Sequence, residues 1–147
     1  MKNVLFPIDF SCNTESVIKK SIEIIPELEN IYFLYVVPLS VKELEDFVTE
    51  DYIKSSKEIA ENKMKSFIRN LNLPNKFKID YAITDGDPAR VIIDLANSGK
   101  FDAIVLGHRG YSYIEDFFIG SVTLKVISKV NIPVVVIKKT KKKGECE

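Results

Sequence analysis

Four short, almost uninterrupted apolar runs constrain this chain more than any other feature. Val4 to Ile8, Ile31 to Val37, Ala103 to Leu106 and Pro133 to Ile137 each have strand length. Continuous rather than alternating hydrophobicity marks strands buried on both faces, as in a parallel sheet covered by helices. A fifth run, Phe77 to Ile83, alternates Phe77, Ile79, Tyr81 and Ile83 with polar or small residues and predicts an edge or half-covered strand. Helix-period segments lie between these runs. Ser11 or Asn13 caps a helix carrying Val17, Ile18, Ser21, Ile22 and Ile25, which Pro26 ends or disturbs. A long charged amphipathic segment from about Val41 to Asn70 has an apolar stripe of Ile53, Ile59, Ala60, Met64, Phe67, Ile68 and Leu71. Asp85-Gly86-Asp87-Pro88 reads as a turn with Asp87 as N-cap and Pro88 at the first helical position. A last helix is expected from about Ser121 to Lys129, carrying Val122, Val126 and Ile127. Repeated strand–helix–strand units predict an open, doubly wound α/β sheet with right-handed crossovers and helices on both faces.

The fourth run opens into Gly107-His108-Arg109-Gly110, then nine residues, then Gly120-Ser121. Such a loop is either a plain turn or a phosphate cradle. Glycines admit backbone N–H groups close to an anion, and a helix beginning near Gly120 would aim unpaired amides and its positive dipole end at the same place. Doubly wound sheets take ligands beyond the carboxyl ends of their strands, where the winding reverses. If the first half winds outward from strand one and strand four begins the other side, Asp9 comes to lie beside Gly107, each just past its strand.

The composition excludes several classes. A chain of 147 residues with 46% apolar and 29% charged residues fits one globular domain. We expect that domain over residues 1–139, followed by a Lys-rich polar tail over 140–147. Twenty-one basic residues offset 21 acidic ones, so the positive field that drives nucleic-acid affinity is absent. Lys138, Lys139, Lys141, Lys142 and Lys143 read as a solvated tail rather than a membrane or nucleic-acid site. The two cysteines, Cys12 and Cys146, lie far apart and suit a reducing compartment, and a lone His108 makes structural zinc improbable. The N-terminus turns polar at Asp9, and no stretch approaches the roughly 20 apolar residues of a membrane span. A cytoplasmic location is the expectation.

Gly107-x-x-Gly110, nine residues, Gly120-Ser121 resembles the nucleotide-binding signature of the ATP-binding branch of the universal stress protein family. Leu5-Phe6-Pro7-Ile8-Asp9-Phe10-Ser11 resembles that family's opening strand and Pro-x-Asp turn. Leu34 to Val37, Gly86-Asp87-Pro88-Ala89 and Ile132 to Ile137 resemble its second strand, third-helix start and last strand. The resemblance spans the chain apart from a variable segment, about Leu39 to Lys76, and the tail after Lys139. It implies strand order 3-2-1-4-5 and an adenine nucleotide, ATP or a relative, with or without Mg, across the crevice. On the matching positions, Asp9 would contact ribose or base, and the backbone around Ile8 and Val36 would meet adenine. Gly107 would border the ribose. The amides of Gly110, Gly120, Ser121 and Val122, with the Ser121 hydroxyl, would hold phosphates, and Arg109 would add charge. The resemblance also implies a homodimer through the final strand, Val134 to Ile137, and the apolar character of that strand agrees. One departure stands out. Glu115 and Asp116 occupy a loop position where many ATP-binding relatives carry a basic residue, and carboxylates beside a triphosphate repel it unless they point away or face a divalent cation.

These readings predict a universal stress protein that binds an adenine nucleotide as a regulatory state, and no catalytic residue is assigned. Asp9, His108 and Ser121 lack a strained G-x-S-x-G nucleophile turn and do not read as a triad. Two alternatives remain open. One is a slow ATPase or nucleotidyl-transfer enzyme of the adenine nucleotide alpha-hydrolase-like group, for which only Asp9, Glu115 and Asp116 offer a base or metal ligand. The other is an interaction module with a vestigial nucleotide site, whose protein partner docks on the variable segment.

Overall fold

A computed structural model of the chain describes residues 1–11, 13–39, 50–109 and 122–139, the side chains of His108, Arg109 and Lys139 excepted. Five parallel strands form one sheet: β1 (Asn3–Pro7), β2 (Asn30–Pro38), β3 (Lys78–Gly86), β4 (Ala103–Arg109) and β5 (Val134–Lys139). Their order is β3-β2-β1-β4-β5, as expected. The helices are α1 (Thr14–Ile24), α2 (Glu50–Leu71), α3 (Pro88–Ala96) and α4 over residues 122–129.

The continuous apolar runs have the cause inferred for them. Within β1, Val4 and Phe6 pack with Val17 and Ile18 of α1 and Met64 of α2, whereas Leu5 between them packs with Ile92 of α3 and Val126 of α4. Successive side chains point to opposite faces, and both faces are covered, so the middles of the central strands are continuously apolar and polar residues such as Asn3, Asn30, His108 and Arg109 fall at their ends. β3, at the edge, is half-buried over most of its length, which explains its mixed pattern. Lys57 Nζ on α2 reaches Asp85 Oδ1 of β3 at 2.6 Å, and the Tyr81 hydroxyl donates to Glu61 Oε1 at 3.0 Å. Met64, Phe67, Ile68 and Leu71 seat the long helix on the sheet, and these polar contacts link its outer side to the edge strand.

Local signals account for the helix ends. Asp87 is the N-cap of α3, its side chain accepting from the Arg90 N–H at 3.2 Å with Pro88 opening the helix. Asn13 occupies the N-cap position of α1 without a side-chain cap hydrogen bond, while Ser11 accepts the Thr14 N–H through its carbonyl at 3.1 Å. α1 stops at Ile24, just before Pro26.

The structure corrects four expectations. Gly107 lies inside β4 rather than past it, because β5 pairs with β4 in register from Ile104↔Val134 to Arg109↔Lys139. Asp85 and Gly86 finish β3 instead of forming a turn, since β2 pairs with them as far as Pro38↔Gly86. Ile59 (58% exposed) and Ile127 (44%) face outward, although their spacing placed them with the buried stripes. β5 begins at Val134, with the Pro133 carbonyl accepting the Ile104 N–H at 3.0 Å. The expected start of a long helix at about Val41 is unconfirmed: residues 40–49 lie outside the described residues, and α2 is described from Glu50. Cys12 and the tail from residue 140, with Cys146, also lie outside them.

Candidate functional site

The order β3-β2-β1-β4-β5 makes β1 and β4 neighbours although a long stretch of chain separates them, so the helices leaving their carboxyl ends lie on opposite faces. A crevice must open between those ends. It is present, with a volume of about 390 Å³. Its floor is formed by Phe6, Pro7 and Ile8 at the end of β1 and by Val105 to Gly107 of β4. Leu34, Tyr35, Val36 and Pro38 of β2 form one side. Thr14, Val17 and Ile18 of α1 close one face, while Pro88 and Ile92 of α3 with Val122 and Thr123 of α4 close the other.

The lining is mainly apolar, with Asp9, Thr14, Tyr35 and Thr123 as the side chains that carry polar atoms. A planar, largely apolar ring system with polar groups at its edge suits such a space, and the size falls in the ordinary range for small-molecule sites. Asp9 is held in place. Its Oδ1 accepts the Ser11 N–H at 2.9 Å and the Thr14 hydroxyl at 3.4 Å, and the Ser11 and Thr14 hydroxyls are 3.1 Å apart. The Ile8 N–H donates to the Leu34 carbonyl at 2.9 Å, which extends the β1–β2 ladder to the rim of the crevice. Between Asp9 and Ser11, Phe10 has φ of 59°. A left-handed backbone at a residue with a bulky side chain is unfavourable by about 1–2 kcal/mol. The Phe10 ring packs 4.7 Å from the Tyr35 ring and 6.2 Å from that of Phe67 on α2, and these contacts hold the strained turn.

The helix starts around the crevice differ electrostatically. α3 opens with Asp87 already accepting an amide and with Pro88, which has no N–H, so an anion gains little there. α1 starts beside Asp9 and carries Glu15 in its first turn. α4 is described from Val122; Val122 and Thr123 line the crevice, and residues 122–129 include no acidic residue. No group of three or more His, Cys, Asp or Glu residues that could hold a metal occurs among the described residues.

Five residues singled out from the sequence, Ile8, Asp9, Val36, Gly107 and Val122, line this one crevice. Arg109 ends β4, two residues beyond Gly107, and its side chain is outside the description. Gly110, Gly120, Ser121, Glu115 and Asp116 lie outside the described residues. Sequence reasoning passed over Thr14, Tyr35, Ile92 and Thr123. Ile92 was legible as an α3 core residue, and its place near the Asp87-Pro88 helix start signalled that it would sit near the carboxyl end of the sheet. Thr14 had a weaker signal, a hydroxyl one turn after Asp9.

Comparison with known proteins agrees with this architecture. Residues 1–138 match the Universal stress protein family, and the chain belongs to it. A universal stress protein of Methanocaldococcus jannaschii is 31% identical over 157 residues, covering 94% of this chain and 95% of that one. Its solved structure has a TM-score of 0.72, with 29% identity over 96% of this chain and 98% of that one. A universal stress protein from Archaeoglobus fulgidus in complex with dAMP shares the fold at TM-score 0.60 and 22% identity, covering 94% and 98% of the two chains. An Arabidopsis thaliana protein of the family with AMP bound has TM-score 0.60 and 16% identity over 97% and 95%.

Proposed function

We propose that this universal stress protein binds an adenine nucleotide in the crevice between β1 and β4, and that occupancy is a regulatory state of the protein. The observation that carries the reading is the convergence of Asp9, Val36, Gly107 and Val122, from four separate parts of the chain, on a mainly apolar crevice at the winding reversal. The dAMP and AMP found on relatives of the same fold support the ligand class. In this reading adenine lies against Ile8 and Val36, and Asp9 accepts from a ribose hydroxyl or the adenine amino group. The phosphates point away from the Asp9 carboxylate toward the start of α4, where the amides of Gly120, Ser121 and Val122 and the Ser121 hydroxyl receive them. Gly110 and Arg109 complete the phosphate end. ATP is the proposed occupant among adenine nucleotides, with Mg as an optional companion, on the strength of the glycine spacing.

Two further parts of the proposal concern the whole protein. β5 pairs with β4 alone among the described residues and has Val136 41% exposed at the sheet edge, which suits pairing with a second copy to form a homodimer. No helix among the described residues is long and apolar enough to cross a membrane, and a cytoplasmic location is proposed from the cysteine usage.

The test is a calorimetric titration of AMP, ADP and ATP into the wild-type protein and Val122→Trp, whose indole would fill the crevice from the half-buried start of α4. At least about tenfold weaker binding with an unchanged melting temperature is expected. Equal affinity of the two proteins would remove the site assignment. Time-dependent formation of ADP in the same samples would convert the reading from binding to turnover.

A further inference from the structure

We propose that Phe10 couples occupancy of the crevice to the seating of α2, by holding a strained turn whose two sides touch the ligand and the helix respectively. The inference rests on the nucleotide reading above and adds a route by which occupancy is felt elsewhere in the molecule.

Phe10 is flanked by Ile8 and Asp9, which line the crevice, and by Ser11, whose N–H is bound by Asp9. Its own ring points the other way, into a run of aromatic side chains. It lies 4.7 Å from Tyr35, a crevice residue, and 6.2 Å from Phe67 of α2, and Phe67 is in turn 5.5 Å from Phe33. Phe33 stands 5.9 Å from Phe6, another crevice residue. Phe67 therefore meets the crevice walls through two ring-to-ring paths while not lining the crevice itself.

In this proposal the turn is the two-state element. At φ of 59° the Phe10 backbone is strained, and the stacking of its ring on Tyr35 and Phe67 opposes that strain. The strain offsets part of what docking the ring contributes, so withdrawing the ring and relaxing the backbone costs less than it would from an unstrained turn. A ligand biases such a balance only if it interacts differently with the two states. An adenosine group touching Ile8 and Asp9 does so, because relaxing φ at Phe10 moves the residues next to it. Linkage then works in both directions: nucleotide favours the docked ring and a seated α2, and anything that unseats the ring from Phe67 weakens nucleotide binding by the same factor.

The experiment is a double-mutant cycle of Phe10→Gly and Phe67→Leu read by AMP affinity. Glycine keeps the left-handed backbone without strain and removes the ring. Phe67→Leu alone is expected to weaken AMP binding about three- to tenfold although it leaves every crevice residue in place, in keeping with the worth of one aromatic contact. In the Phe10→Gly background the same change is expected to have no further effect. Phe101→Ala, a buried substitution in the core on the opposite face from α2 and outside the crevice lining, controls for general destabilisation and is expected to lower the melting temperature with unchanged affinity. Hydrogen exchange supplies a second reading on the intact protein: AMP is expected to slow exchange over residues 64–71 in the wild type and not in Phe10→Gly. Wild-type affinity in Phe67→Leu, or effects of the two substitutions that multiply independently, would overturn the coupling while leaving the nucleotide site standing. A wild-type protein that binds no adenine nucleotide would overturn both.

Discussion

The two ends of this sheet are built on opposite plans. At the amino end, polar groups are tied to one another. Asp102 Oδ2 accepts the Lys2 and Asn3 N–H groups at 3.0 and 2.9 Å, and its own N–H donates to the Asn3 carbonyl at 2.7 Å. Asn30 is hydrogen-bonded to Asn3 through their side chains, and Asn97 clamps the turn after α4 by accepting the Asn131 N–H at 2.7 Å and donating to the Lys129 carbonyl at 3.1 Å. At the carboxyl end the strands stop around an open crevice, and Phe10 stands in a strained conformation beside it. The contrast teaches where this fold places its stability and where it leaves room for a ligand. Among the described residues, the amino end is closed by hydrogen bonds within the chain, and the carboxyl end holds the crevice in which a nucleotide is proposed to bind.

The comparison can be broken by substitutions that separate stability from binding. The largest effect is expected in the core that both ends share: Leu5→Ala, at a fully buried position in the central strand, should lower unfolding free energy by about 2–5 kcal/mol in urea titrations. Gly86→Ala is expected to come next, at about 1–3 kcal/mol. Gly86 has φ of 136°, and an added Cβ would approach Val91 Cγ2 at 3.3 Å. Asp87→Ala removes the N-cap of α3 and should cost about 1 kcal/mol by the same assay. Nucleotide affinity unchanged in Leu5→Ala, measured well below its melting point, would support the separation.

The smallest effect belongs to the amino end and depends on pH. Hydrogen bonding from the Asn3 N–H, with a further contribution from that of Lys2, holds the Asp102 carboxyl below its ordinary value of 3.8, against partial desolvation. A carboxyl depressed on folding contributes stability that is present above its unfolded pKa and lost as pH falls through the folded one. Thermal melts of wild type and Asp102→Ala should therefore differ by a constant amount from pH 7 to 5. The difference should shrink as pH falls from 3.8 through the lower folded value. A difference that instead grew on acidification would contradict the clamp.

Much of this architecture was legible in the sequence because burial on both faces writes a plain signal. The central strands had to be continuously apolar, and the Asp87-Pro88 pair announced a helix start that the structure reproduces. Legibility failed where a tertiary partner overrides a local rule. Gly107 reads as punctuation, yet β5 pairs straight past it. Ile59 has the right period for the core, but the width of the buried stripe is decided by the sheet beneath the helix rather than by the helix itself. Phe10 could not be read at all, since nothing about a phenylalanine signals a positive φ; its ring packs on Tyr35 and Phe67, which are distant in sequence. For the site, the residues tied to strand ends were recoverable from topology, whereas Thr14 and Thr123 depended on how the helices lie over the crevice.

The most direct test of the central claim is an amide chemical-shift map of the wild-type protein titrated with AMP. The account predicts saturable shifts clustered at Ile8, Asp9, Val36, Gly107 and Val122, with Lys2, Asn3 and Asp102 at the opposite end unmoved. Shifts centred on the amino end, or none at any of the crevice residues, would contradict it.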